Sequence, residues 1–242
     1  MLFSKKNLVL LFVASVLTVS AYADATKKTF KSVSEAASII TGGNTDLKTY
    51  LVKTDNVWKW TNNALTLKGD YTYGESNEVR SAERWSIGLR YDRYLNDRLS
   101  VYLGEVVEAN RFAGFRRRFN TDLGAKYILI NTDKTKSFAE AGARYTIEQI
   151  RDQDDFNDWK GRAYYEISRK FSEAITGRFW AEYIPNFSRS EDYLLNFEPS
   201  IAVTMSSNLS LKFAFLFNYD NAPALGNGKQ DYGYTTGIIA NF

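Results

Sequence analysis

Alternate positions of this chain carry different chemistry, over stretches about as long as a strand needs to cross a bilayer. From residue 118 to 129 the odd positions are Phe119, Thr121, Leu123, Ala125, Tyr127 and Leu129. The even positions are Arg118, Asn120, Asp122, Gly124 and Lys126. A period of two sends successive side chains to opposite faces of an extended strand, so one face is apolar and the other polar. The same sorting sets Trp85, Ile87, Leu89 and Tyr91 against Ser86, Gly88, Arg90 and Asp92. It sets Ala139, Ala141, Ala143, Tyr145 and Ile147 against Glu140, Gly142, Arg144, Thr146 and Glu148. It sets Phe179, Ala181 and Tyr183 against Arg178, Trp180 and Glu182, and Leu211, Phe213 and Phe215 against Lys212 and Ala214. Soluble strands usually stop at about five or six residues, whereas a tilted membrane strand needs about nine to eleven.

Clusters of Gly, Asn, Asp, Ser and Thr separate these runs. They divide the chain into about twelve segments, centred near residues 36, 53, 69, 87, 103, 123, 143, 164, 180, 199, 213 and 237. An even number is what a bacterial single-chain barrel requires. Short connections near 61–63, 96–97, 131–136, 172–173 and 206–208 alternate with longer ones near 74–80, 110–117, 151–158, 186–192 and 220–230. Short periplasmic turns and longer outer loops place both termini in the periplasm. The expected fold is therefore all-β: an antiparallel, up-and-down transmembrane β-barrel of about twelve strands. Three places fit less well. The first two segments alternate poorly, the phase slips near Glu105, and Pro199 interrupts a run. A bulge is expected at each of the last two.

Composition agrees once the faces are separated. Mean hydropathy is only −0.37, yet 15% of residues are aromatic. A barrel that is apolar outside and polar inside accommodates both values. No stretch beyond residue 23 is apolar for long enough to form a membrane helix. Residues 1–23 have the pattern of a secretory leader: Lys5 and Lys6, then an apolar run over 8–19, then Ala21-Tyr22-Ala23 before the cut. The domain is then residues 24–242, in the outer membrane of a Gram-negative bacterium. There is no cysteine, which excludes lipid anchoring, disulfides and thiolate metal sites. The chain holds 31 basic and 28 acidic residues, and the leader removes two lysines. A nearly neutral remainder gives no electrostatic case for nucleic acid.

The last segment ends on Phe242, with Ala240, Ile238, Thr236, Tyr234 and Tyr232 at alternate positions before it. Phe242 and Tyr234 look like the terminal signal read by the barrel-assembly machinery. Other stretches resemble a known family. They are Gly42-Gly43-Asn44-Thr45-Asp46, Glu75-Ser76-Asn77, Arg80-Ser81-Ala82-Glu83-Arg84, Asp92-Arg93-Tyr94, Asp97-Arg98-Leu99, Arg111-Phe112-Ala113-Gly114 and Thr132-Asp133-Lys134-Thr135-Lys136. In order and spacing, from about residue 33 onward, the chain is similar to the salt-induced outer-membrane proteins (domain of unknown function 481). The resemblance implies an outer-membrane barrel and lends no catalytic residues.

The chain has no histidine. The enzymes known among such barrels use a histidine as base or orienter, so none of their mechanisms operates here, and no catalytic residue, cofactor or metal is expected. The polar face is more informative. Arg90, Arg118, Lys126, Arg144, Arg162, Arg178 and Lys212 share it with Asp122, Glu140, Glu148, Glu166, Glu182 and Glu198. Lys68, Lys160, Lys170, Asp70, Asp92 and Asp231 fall there too. At the bilayer midplane each charge would cost ~2–4 kcal/mol on the lipid side, which turns this face to the lumen. Two readings follow: a narrow polar pore for small polar solutes, or a salt-bridged structural barrel. A soluble periplasmic barrel binding an apolar ligand is the alternative, and it needs the faces reversed. Arg111 and Arg116-Arg117-Arg118 beside Phe112 and Phe115 read first as solvated loop charge, with contact to lipopolysaccharide phosphates as the functional alternative. Asp152, Asp154, Asp155 and Asp158 read as solvated loop charge. N-terminal sequencing of purified protein should begin at Asp24, and the protein should stay in the membrane fraction after carbonate or urea washing. Recovery from the soluble periplasm would overturn the barrel.

Overall fold

The computed structural model describes residues 28–41, 47–113, 115–150, 155–223 and 228–242; the expected leader lies outside these residues. Twelve strands follow one another: β1 Lys28–Thr41, β2 Leu47–Trp60, β3 Asn63–Ser76, β4 Val79–Tyr94, β5 Leu99–Asn110, β6 Phe115–Asn131, β7 Thr135–Ile150, β8 Phe156–Lys170, β9 Ile175–Pro185, β10 Tyr193–Thr204, β11 Leu209–Asp220 and β12 Gln230–Asn241. Each pairs antiparallel with its neighbours in the chain, and β12 returns to β1 to close the barrel. All twelve expected centres fall inside strands. Closure is the physical requirement here, because lipid offers no partner to an unpaired backbone group.

The strands run from 11 residues in β9 to 17 in β6, longer than the sequence spacing suggests. They absorb part of the expected loops. The β3–β4 connection, expected over 74–80, is a two-residue turn in which Asn77 and Glu78 both take positive φ, 49° and 63°. Two successive left-handed residues match the right-handed twist of a hairpin. The longest connections are 186–192 and 221–229, at the same end of the barrel, here termed the loop end. Lys28, the first described residue, and Phe242 lie at the other, terminal end.

Neither expected bulge is present. β5 keeps its register against both β4 and β6 through Glu105. The apparent slip arises because apolar Val106 faces inward, while Glu105 stays on the outer face and accepts a hydrogen bond of 2.5 Å from the Thr121 hydroxyl. At Pro199 the ladder to β11 skips a step, but Phe197↔Phe217 and Ser200↔Ala214 keep one register, and Pro199↔Phe179 stays paired with β9. The missing N–H removes a rung without inserting a residue. The register shifts that do occur lie near strand ends, at Gly74/Glu75, Phe115/Arg117 and Ile128/Ile130.

The two faces are chemically distinct. Ile87, Leu89, Leu103, Leu123, Ile201 and Ile238 are exposed on the outer wall. Aromatic pairs mark both rims of this belt, with Phe30–Trp58 and Trp60–Tyr91 toward the terminal end and Tyr145–Trp159 and Tyr193–Tyr219 toward the loop end. Girdles of this kind sit at membrane interfaces. On β11, Phe213 is 48% exposed, whereas Lys212 and Ala214 are 7% and 8% exposed. Single cysteines at 211, 213 and 215 should therefore react with a lipid-phase label and those at 212 and 214 should not. Preferential labelling at 212 and 214 would reverse the faces.

Candidate functional site

Strand periodicity delivers the charged residues to the inner wall, and ion pairs then organise them. On β7, Glu140 is 3% exposed as a side chain and lies between two guanidinium groups. Arg90 of β4 donates to both its oxygens at 2.9 Å while also holding Asp92 at 2.7 and 3.0 Å. Arg162 of β8 donates to Glu140 at 2.8 Å and to Glu182 of β9 at 2.6 Å. Arg144 forms a bidentate pair with Asp122, at 2.7 and 2.8 Å, and lies 3.7 Å from Glu182. The fork of a guanidinium matches two carboxylate oxygens at once, which fixes the geometry of each link. The result is a continuous charged belt over β4, β6, β7, β8 and β9.

Tyr102 of β5 fills the space beneath this belt. Its ring lies 3.9 Å under the Arg90 guanidinium, and its hydroxyl accepts a hydrogen bond of 3.1 Å from Arg162. It is 2% exposed, because the wall recedes beside it. Gly124 faces Tyr102 on one side and Gly142 on the other. A Cβ added to Gly124 would lie 2.6 Å from the tyrosine oxygen. The glycines therefore make the hollow that the ring occupies. Tyr102 and these two glycines were not among the site residues expected from sequence. The signal was a tyrosine on the polar parity of its strand.

A second network lies on the other side of the interior. Glu198 of β10 has Lys212 at 3.0 Å and Arg178 and Lys53 each at 3.9 Å. Lys212 also reaches Glu35 of β1 at 2.9 Å, spanning β12. Lys53 lies on β2, so its approach to Glu198 crosses the interior. Arg178 pairs with Glu166 at 2.7 and 3.0 Å, and Glu166 accepts from the Tyr164 hydroxyl at 2.6 Å. Phe138, Tyr164 and Trp180 stack beside it. Lys126 sits 3.7 Å above the Phe138 ring. Toward the loop end, Arg118 donates to Glu148 at 2.6 Å and to Glu108 at 3.3 Å. Lys53, Glu35 and Glu108 were missed because the first two segments alternate poorly and the third was read as out of phase.

Above the belt, toward the loop end, lies a cavity of about 970 Å³, with Lys53, Arg144, Glu182 and Glu198 in its floor. Of the terminal pair expected to signal assembly, Tyr234 projects from the outer wall against Phe215, with 5.0 Å between ring centroids. Phe242 exchanges two backbone hydrogen bonds of 2.9 Å with Ser32. Among the loop acids, Asp158 pairs with Arg189 at 2.9 Å; Asp152 and Asp154 lie outside the described residues. Among the described residues no group of acids is arranged to hold a metal ion.

The profile of a family described as protein of unknown function, DUF481, matches residues 34–242, and the chain belongs to that family. No curated protein matches the sequence. Two solved structures share the fold. One is the COG4313 outer membrane channel from Pseudomonas putida F1, with a TM-score of 0.53 and 12% identity, covering 93% of this chain and 100% of that one. The other is the NanC porin, with a TM-score of 0.50 and 11% identity, covering 87% of this chain and 98% of that one. At these identities the likeness is one of fold. The closed twelve-stranded barrel with its apolar outer belt is an outer-membrane protein.

The tyrosine–glycine arrangement is directly testable. Gly124→Val should destabilise the folded barrel by ~1–3 kcal/mol, the usual result of overfilling a packed site. Urea titration followed by the mobility of unheated protein on gels measures it. Adding Tyr102→Ala should recover part of the loss. An unchanged urea midpoint for Gly124→Val would show that the hollow is not filled.

Proposed function

We propose that this barrel is a narrow outer-membrane channel for small polar solutes, with its bore limited by the charged belt. The observation that carries the reading is the bridge from Arg90 on β4 through Glu140 to Arg162 on β8, with Tyr102 held beneath it. Charged side chains tied together in this way occupy space that an open pore leaves to water. They also present both signs of charge to a passing solute, so the bore discriminates by size before it discriminates by charge. A soluble barrel enclosing an apolar ligand is disfavoured, since the apolar side chains line the outer wall. On this reading the arginines at 111, 116 and 117 face the lipopolysaccharide layer, and Tyr234 and Phe242 serve as the signal for the assembly machinery.

Recording from purified protein in planar bilayers tests the proposal. The wild type should give conductance steps well below those of a general porin. Arg90→Ser combined with Arg162→Ser should raise the steps severalfold and shift selectivity toward cations, because Glu140, Asp92 and Glu182 keep their charge. Each single change leaves a carboxylate poorly compensated and should lower stability more than a matched removal of both partners. Porin-sized conductance in the wild type would refute the narrow bore. Silence in both forms would leave a structural barrel.

A further inference from the structure

The barrel wall is not paired equally all the way round. β1 pairs with β2 along its whole length, from Lys28↔Trp60 to Thr41↔Leu47. β12 pairs with β11 from Gln230 to Ala240. Between β1 and β12, however, register pairs run only from Val33↔Asn241 to Ala37↔Gly237. Toward the loop end, residues 38–41 of β1 and 230–236 of β12 have no register partner across the seam. The same place is open in other respects. A Cβ on Gly233 would meet nothing within 4 Å. Tyr232 and Tyr234 are 70% and 72% exposed.

The cavity above the belt reaches this seam. On β1 and β12 it is lined by residues from both faces of the wall: Ala37, Gly233 and Thr235 from the inner face, Ser38, Tyr234 and Thr236 from the outer. The cavity therefore reaches the unpaired edges of both strands. Unpaired backbone at membrane depth is tolerated where it lines such a space. The lining is also divided. Directly beside the gap the inner lining is Ala37, Gly233, Leu51 on β2 and Leu216 on β11, flanked by Thr49, Lys53, Asn218, Thr235 and Asp231; Arg84, Glu108 and Arg118 stand on the far side. A short apolar patch at the lipid-facing gap that gives onto a charged chamber matches an amphiphile.

We propose that the β1–β12 seam is a lateral opening that admits a lipid of the surrounding leaflet. Its acyl chain lies in the seam along Leu51 and Leu216, and its headgroup lies in the charged part of the cavity. The site stands whether or not ions cross the belt. Reconstitution in phosphatidylcholine vesicles containing a phosphatidylglycerol with a diazirine on its acyl chain tests it. After irradiation, mass spectrometry should find adducts on inner-face Leu51 and Leu216 as well as on outer-face residues such as Phe213. Two variants close the seam: a disulfide between Ser38→Cys and Thr236→Cys, positions that would face each other if the seam register continued, and Gly233→Trp, which fills the gap from inside. In either, labelling of Leu51 should fall severalfold while labelling of Phe213 is unchanged. Adducts confined to the outer face of the wild type would overturn the proposal. So would undiminished labelling of Leu51 in Gly233→Trp, since the lipid would then arrive by another route.

Discussion

No water reaches the peptide groups of a strand that lies in hydrocarbon, and the rest of this barrel follows from that constraint. Twelve strands close on themselves because each backbone donor and acceptor needs a partner within the sheet. Closure divides the side chains into one set that meets lipid and one that does not. Period-two alternation is the sequence record of this division. Every charge kept off the lipid face is delivered to the interior, where it is partly desolvated and must find an opposite charge. The belt around Glu140 is therefore a consequence of closure.

The number and placement of strands were legible because they depend on side-chain parity, which a sequence states directly. The inward direction of Arg90, Arg144 and Glu140 was legible for the same reason. Their partners were harder to read. Arg90 meets Glu140 three strands away, past Gly104 and Gly124, and nothing along the chain marks that approach. The inward direction of Tyr102 is legible from its parity, but its packing is not, because that depends on the absence of side chains at Gly124 and Gly142, on two other strands. Glu105 and Pro199 misled in a different way. Both are chemical irregularities, and chemistry out of place was read as backbone out of place. The backbone ladder carries Glu105 through unchanged and passes Pro199 with one rung lost, because shifting the register would send every following side chain to the wrong face. The loop over 74–80 was overestimated because Gly, Ser and Asn mark turns without saying how tight they are. Only the paired positive φ values at Asn77 and Glu78 show a two-residue hairpin.

The distribution of cross-links around the wall connects the belt to the seam. Arg90, Arg144 and Arg162 tie β4 through β9 together by guanidinium–carboxylate forks, and Tyr102 packs beneath them. That half of the barrel is braced from inside as well as through its backbone. Among the described residues the opposite half has one comparable group, in which Glu198 gathers Lys53, Arg178 and Lys212, and Lys212 reaches on to Glu35. Glu35 is paired with Ile239 in the short seam itself. The Lys212–Glu35 link spans β12 and holds β1 against the sheet where backbone pairing ends two residues further on. A lysine reaches that far as a single point charge on a flexible stem, without the fixed fork of an arginine. The link therefore secures the terminal half of the seam. Residues 38–41 of β1 stay in the sheet through β2 alone, and residues 230–236 of β12 through β11 alone. The wall is thus braced most densely from β4 to β9 and paired least where the cavity meets β1 and β12, with Glu35 at the boundary between the two.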